Sequence, residues 1–225
     1  MNNIIFFIVV IILHTIIYIY MKSAYIITYT KKININDACT LVKTGDMVLF
    51  RWHKVKIYNE FISTFTHVGL VIIVPDLNIP YIIESHAHGD TENMGIMTGG
   101  VNIYPFDLRI KKYKGMCFLK QIKTIIPDDD LNLFLTKITN YKKIPFNEKY
   151  KSYFIRKCLP YLYHINNLNK TSYQMYCTEF IGFCLKNLKL VDENYIFTCN
   201  TPDTIQYVKK NNNFIYDDNI FKIII

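Results

Sequence analysis

The chain has 225 residues, 51% of them hydrophobic, and a formal net charge of +8. This length suits one domain with a sizeable core, and the basic residues are scattered in lysine doublets rather than gathered in a stripe, which argues against a nucleic-acid-binding protein. The six cysteines form no C-x-x-C pair and are widely spaced, which argues against a zinc ribbon, a thioredoxin-like motif and a small disulfide-stapled scaffold.

The N-terminal segment is strongly apolar. From Ile4 to Tyr20 no residue is charged, and only His14 and Thr15 interrupt the run. The run is close to the roughly 20 residues that a membrane span needs, and it lacks the positive start of a cleaved signal peptide. It therefore predicts an uncleaved transmembrane anchor at residues 1–22.

Lysines follow this run and none precedes it. The positive-inside rule then predicts a single-pass membrane protein whose main domain lies in the cytosol, where cysteines stay reduced. Residues 23–36 are expected to form a polar tether, and residues 37–225 the main domain.

The remaining chain reads as strands beside segregated helices, which indicates an α+β fold. Apolar and β-branched runs predict strands at residues 47–50, 67–74, 81–84, 101–104 and 116–122. Helical spacing or capping residues predict helices at residues 37–42, 128–140 and 177–188, and a helix start at Thr201-Pro202-Asp203.

Cys177 opens the predicted helix at residues 177–188. A helix N-terminus lowers the pKa of a thiol, and its free N–H groups can stabilise an oxyanion. Cys177 is therefore a candidate nucleophile, and the alternative is a buried cysteine that fills space. Cys184 takes that structural interpretation, because it lies mid-helix on the apolar face.

A thiol nucleophile needs a base, and His67 at the start of a strand is the best candidate. Glu84, on the predicted return strand, is the candidate orienting partner. A turn centred between Pro75 and Asp76 pairs His67 with Glu84, whereas a turn two residues further on pairs it with His88. The same face is predicted in both cases, and His86 and His88 remain alternatives to Glu84.

The face of His67 also includes Gly69 two residues on, whose missing side chain is expected to leave room for a helix end or a substrate.

His86-Ala87-His88 also permits a metal hypothesis. Two histidines at this spacing in an extended chain could bind zinc together with His67 or Cys177. No local spacing matches a known zinc motif, so neither a metal nor another cofactor is predicted.

Four segments occur in the order of a known family. They are Gly45-Asp46-Met47-Val48-Leu49-Phe50, Thr66-His67-Val68-Gly69-Leu70-Val71, Ile82-Ile83-Glu84-Ser85 and Tyr176-Cys177-Thr178-Glu179-Phe180. Together they resemble the circularly permuted NlpC/P60 group, which is papain-like. That group includes bacterial YiiX-like amidases, relatives of lecithin–retinol acyltransferase, and homologues in poxviruses and other large DNA viruses. Its order is His, a polar residue, then Cys.

The resemblance covers roughly residues 37–208 and implies a permuted papain-like domain with an antiparallel sheet. It implies Cys177 as nucleophile, His67 as general base and Glu84 as the third member of the triad. The expected function is a membrane-anchored cysteine hydrolase or acyltransferase acting on a lipid-linked acyl group or a peptide amide, on a viral or host membrane. The alternative is a non-catalytic viral structural or membrane-recruitment protein that retains the fold.

Overall fold

The computed structural model describes residues 2–52, 64–74, 78–86, 100–141, 176–195, 197 and 200–225. The N-terminal apolar run forms helix α1 (Asn2–Tyr29). Within these ranges, however, no helix is long and apolar enough to cross a membrane, and a span needs about 20 apolar residues. The predictions of a transmembrane anchor at residues 1–22 and of a single-pass membrane protein are therefore wrong.

The segment predicted as a tether contains regular structure. After α1, strand β1 (Lys31–Asn34) pairs in parallel with the last strand of the sheet, and helix α2 (Ile35–Leu41) follows directly. Asn34 caps α2, because its side-chain oxygen accepts the N–H of Asp37 at 2.8 Å. The first strand of the sheet thus lies before residue 37.

A seven-stranded sheet forms the centre of the fold, in the order β1-β9-β6-β2-β3-β4-β5. Apart from β1 these strands are β2 (Met47–Trp52), β3 (His67–Val74), β4 (Ile79–His86), β5 (Gly100–Pro105), β6 (Gly115–Lys120) and β9 (Phe221–Ile224). All neighbouring pairs are antiparallel except β1 with β9. The predicted α+β class is confirmed, and each predicted strand is present.

Four more helices and a small hairpin complete the described structure. They are α3 (Phe106–Lys112), α4 (Asp128–Tyr141), α5 (Cys177–Asn187) and α6 (Pro202–Ile205), with β7 (Lys209–Lys210) and β8 (Asn213–Phe214). Thr201 caps α6 as predicted, accepting the N–H of Thr204 at 3.3 Å. Helix α3 was not predicted.

The sheet is covered on both faces. On one face α5 packs Phe180, Ile181 and Leu185 into a cluster that contains Leu70 and Ile83. On the other face α2 and α3 form a second cluster with Phe50, Val71 and Ile82. Because successive strand residues point to opposite faces, β3 and β4 are buried on both sides. Helices α5 and α3 therefore approach the same two strands from opposite directions.

Gly69 lies opposite Glu84 in the β3–β4 ladder. A Cβ added there would stand 2.5 Å from Ile82 Cγ2. The expectation that this glycine leaves room for a substrate or a helix end is wrong, since Ile82 occupies the space.

Replacing Gly69 with alanine should lower the free energy of unfolding by roughly 1–2 kcal/mol. An overpacking cost of about 1–3 kcal/mol outweighs the gain of about 0.5–1 kcal/mol from replacing glycine within a strand. Urea unfolding measures the change. In an Ile82→Leu background, which removes the Cγ2 methyl, the same substitution should cost less; an equal cost in both backgrounds would contradict this contact as the cause.

Candidate active site

Cys177 is the first residue of α5, and Tyr176 precedes it. The N–H of Tyr176 donates to Glu179 Oε2 at 3.0 Å, which fixes the start of the helix. The N–H groups of a first helical turn have no partners within the helix, and the helix dipole favours negative charge there. The Cys177 thiol is free and half-buried. The thiol is thus partly accessible and lies at a helix start whose N–H groups can stabilise a negative charge on a bound substrate.

His67 is the first residue of β3, and its side chain is 16% exposed. Its Nε2 lies 2.8 Å from Glu84 Oε2, and its ring also interacts with the Cys177 side chain. The imidazole therefore lies between a thiol and a carboxylate that are far apart in sequence. All three residues singled out as catalytic candidates are brought together.

The register that joins His67 and Glu84 differs from both registers considered above. Val74 pairs with Ile79 and Gly69 pairs with Glu84, which places the turn midway between the two predicted positions. In this register Glu84 is offset from His67 by two residues, a diagonal neighbour on the same face within reach of long side chains. The predicted face was correct, and both predicted alignments were wrong.

Glu84 is fully buried and has a second partner, Arg109 of α3. Arg109 Nε donates to Glu84 Oε1 at 2.6 Å, and Nη2 donates to Oε2 at 3.5 Å. The guanidinium lies over the rings of Phe50, Tyr104 and Tyr113, at 5.0, 5.7 and 5.3 Å from their centroids. Arg109 thus neutralises a carboxylate that would otherwise be costly to bury.

Sequence reasoning missed Arg109, although the chain carried a signal. Phe106, Arg109 and Ile110 follow helical spacing, and all three are buried. A basic residue on the apolar face of a helix indicates a buried acidic partner.

The charges in this cluster shift the ionisation of its members. Burial alone would lower the pKa of His67, but the hydrogen bonds to Cys177 and Glu84 outweigh it and raise that pKa to about 9. Burial alone would raise the pKa of Glu84, but the His67 hydrogen bond and the Arg109 charge lower it to about 2. At neutral pH an ionised Glu84 therefore lies between two cationic partners.

His86 stands beside this cluster rather than within it. Its Nε2 lies 3.1 Å from Tyr104 Oη and 3.3 Å from Asn102 Nδ2, and its ring centroid is 6.3 Å from that of His67. The hydrogen-bond partner of the His67 Nε2 is therefore Glu84 rather than His86. His88 lies outside the described residues. Within the described part of the chain, no group of three or more His, Cys, Asp or Glu side chains could hold a metal ion.

No protein-family model matches the chain, and no curated protein matches it. Among solved structures it is similar to the crystal structure of metalloprotein YiiX from Escherichia coli O157:H7. The sequence identity is 15% and the TM-score is 0.41, over 65% of this chain and 66% of that chain. The chain therefore covers less than two thirds of YiiX. The likeness to a YiiX-like fold is coarse, and the expectation of viral relatives is unsupported.

The wild-type protein should exceed Glu84→Gln in stability most strongly between about pH 4.5 and 6.5. Glu84 has a lowered pKa, so its contribution is present above its ordinary value of 4.5 and is lost as the pH falls toward 2. His67 has a raised pKa, so its contribution is present below 6.5 and is lost as the pH rises through 9. Urea unfolding from pH 3 to 9.5 measures the difference.

The exposed carboxylate of Glu193 provides the control, since Glu193→Gln should show no such window. A difference between wild type and Glu84→Gln that keeps growing above pH 7 would contradict a contact between Glu84 and protonated His67.

Replacing Arg109 with methionine should destabilise the protein by about 3–5 kcal/mol at neutral pH, because it removes one partner of a buried ion pair. The double variant Arg109→Met/Glu84→Gln removes the stranded charge as well and should recover part of that loss. Denaturant unfolding of the four proteins in this cycle measures the coupling. Additive losses would show that Arg109 stabilises the fold through its ring contacts rather than through Glu84.

Proposed function

We propose that the chain is a cysteine-dependent acyl hydrolase or acyltransferase that attacks an amide or ester carbonyl. One observation carries the proposal: His67 Nε2 lies 2.8 Å from the carboxylate of Glu84, and the same imidazole interacts with Cys177 at the start of α5. Cys177 and His67 are distant in sequence, and core packing gives no reason for a thiol to meet a strand-end imidazole. Activation of a nucleophile requires that meeting.

In the proposed reaction Cys177 and His67 form a thiolate–imidazolium pair, because the raised pKa of His67 keeps its imidazole protonated at neutral pH, and the thiolate attacks the substrate carbonyl. The N–H groups of the first turn of α5 stabilise the negative charge that develops on the carbonyl oxygen. His67 then returns the proton to the leaving amine or alcohol as the C–N or C–O bond breaks, leaving a thioester on Cys177. Water or another acceptor, deprotonated by His67, attacks the thioester and releases the thiol.

Glu84 has the role of orienting partner in this scheme. Its Oε2 faces Nε2 of His67, so it holds the ring and stabilises the imidazolium that forms when Cys177 loses its proton. Arg109 keeps Glu84 ionised and therefore supports the orientation of His67 indirectly, through its hydrogen bond to Glu84.

The proposed substrate is a lipid-linked acyl group or a peptide amide. Only the membrane anchor favoured a lipid over a peptide, and that anchor is overturned, so both classes are retained. A non-catalytic protein with the same fold is the competing hypothesis, and it predicts no turnover.

Cys177 should react faster than Cys39 with iodoacetamide and should form a thioester with an activated acyl ester. Both thiols are free and half-buried, but burial raises the pKa of Cys39, and Cys39 lies within α2 rather than at a helix start. Intact-protein and peptide mass spectrometry locate the adducts. His67→Gln should lower the rate of acylation by about 10²–10⁴-fold, the usual contribution of a general base.

Cys39→Ala is the matched control and should leave the rate of thioester formation unchanged, whereas Cys177→Ala should abolish the thioester. Equal labelling of Cys177 and Cys39, or labelling of Cys177 that does not depend on His67, would favour the non-catalytic alternative.

A further inference from the structure

Residues 200–203 lie between the helix that carries Cys177 and the strand that carries His67. We propose that this segment, here called the bracket, positions the two side chains against each other. Its key members are the backbone carbonyl of Asn200 and the carboxylate of Asp203. This role rests on the proposed function, in which His67 activates Cys177.

One end of the bracket holds helix α5. The hydroxyl of Thr178, next to Cys177, donates to the carbonyl oxygen of Asn200 at 2.9 Å. Thr178 is only 4% exposed, so water does not readily replace this bond. One turn further along α5, Phe197 packs so closely on Gly182 that an added Cβ would stand 2.0 Å from its ring. Phe197 and Asn200 therefore both contact the face of α5 that includes Thr178 and Gly182.

The other end of the bracket holds the approach to β3. Asp203 Oδ2 accepts the N–H of Thr64 at 2.6 Å, and Oδ1 accepts the N–H of Phe65 at 3.1 Å. A carboxylate that accepts two adjacent backbone N–H groups fixes both the position and the direction of the chain. Two residues later the chain reaches His67.

The bracket itself has a defined shape. Thr201 caps α6, and the Thr201 N–H donates to Thr204 Oγ1 at 2.7 Å. Pro202 takes the first helical position, where its fixed φ suits a helix start. The distance between the Asn200 carbonyl and the Asp203 carboxylate is therefore set by a short capped helix.

Apolar packing alone would fix the relative position of α5 and the start of β3 less precisely than hydrogen bonds do. Helix α5 rests on the sheet through apolar side chains, and apolar contact has no preferred direction. Hydrogen bonds have a narrow range of distance and angle. Because small displacements of a catalytic group slow a reaction strongly, the directional links are those that should matter for the contact between Cys177 and His67.

The experiment uses the full chain and substitutes one link at a time. Thr178→Val removes the hydroxyl and keeps the shape, whereas Thr178→Ser keeps the hydroxyl. Asp203→Asn replaces one acceptor oxygen with a donor that faces a backbone N–H. Asp46→Asn is the matched control, because the Asp46 carboxylate also accepts two backbone N–H groups, those of Lys43 and Ile122, at the opposite end of β2 from the residue paired with His67.

Two readouts are used for every variant. The first is the rate of Cys177 alkylation by iodoacetamide as a function of pH. The second is the titration of the His67 imidazole followed by NMR, which needs no activity. Thr178→Val and Asp203→Asn should each slow alkylation at pH 7 by about tenfold and move the His67 titration toward its ordinary value. Thr178→Ser should behave as wild type, and Asp46→Asn should lower stability without changing either readout.

The two links act in series, so breaking both should slow alkylation little more than breaking one. Wild-type alkylation and His67 titration in both Thr178→Val and Asp203→Asn would overturn the proposal, as would losses that multiply in the double variant. If Asp203→Asn does not fold, the proposal is tested by Thr178→Val against Thr178→Ser, and equal Cys177 alkylation and His67 titration in these two variants would overturn it. If wild-type Cys177 is unreactive while the His67 titration still responds to both variants, the proposed function fails and the bracket stands.

Discussion

The buried contact between Arg109 and Glu84 is the constraint on which the candidate site depends. A fully buried carboxylate stays ionised only if it is paired, and Arg109 supplies that partner at 2.6 Å. Arg109 is in turn held by three aromatic rings and by the packing of α3 against the sheet. The orientation of the His67 imidazole therefore depends on the apolar packing of α3. A shift of α3 would move the Arg109 guanidinium, and with it the Glu84 carboxylate that is hydrogen-bonded to His67.

Only at the end of a strand can one side chain of this sheet contact groups that lie on both of its faces. A side chain in mid-strand points to one face only, yet α3 and α5 lie on opposite faces of β3 and β4. The β3–β4 ladder ends at the pair of Gly69 and Glu84, whereas β2 still pairs Phe50 with His67. One flank of His67 is therefore free of the β4 ladder, and its ring reaches both Glu84 on one face and the start of α5 on the other.

The sequence predicted what local periodicity controls and missed what depends on distant contacts. The strand at residues 67–74 and the helix beginning at Cys177 followed from apolar patterning, and the face shared by His67 and Glu84 followed from strand alternation. The register did not, because a shift of the turn centre by one residue moves each pairing by two and still keeps each residue on the same face. The segment at residues 31–34 is polar and short, and it forms a strand because residues 221–224, far away in sequence, lie beside it. Arg109 and the links of Asp203 to Thr64 and Phe65 lie far from their partners in sequence, so no local pattern specified them.

The position of β9 between β1 and β6 has a consequence for the order in which this fold assembles during synthesis. Among the described strands, β1 has β9 as its neighbour in the sheet, so the described strand that is made earliest pairs with the one that is made latest. Until β9 emerges, β6 presents an unpaired edge, and open edges invite pairing with other chains. Strands β2 to β6 and the α3 helix can form beforehand from nearby segments. The sheet can be completed, and α2 can pack in its final position, only after residues 221–224 have been synthesised.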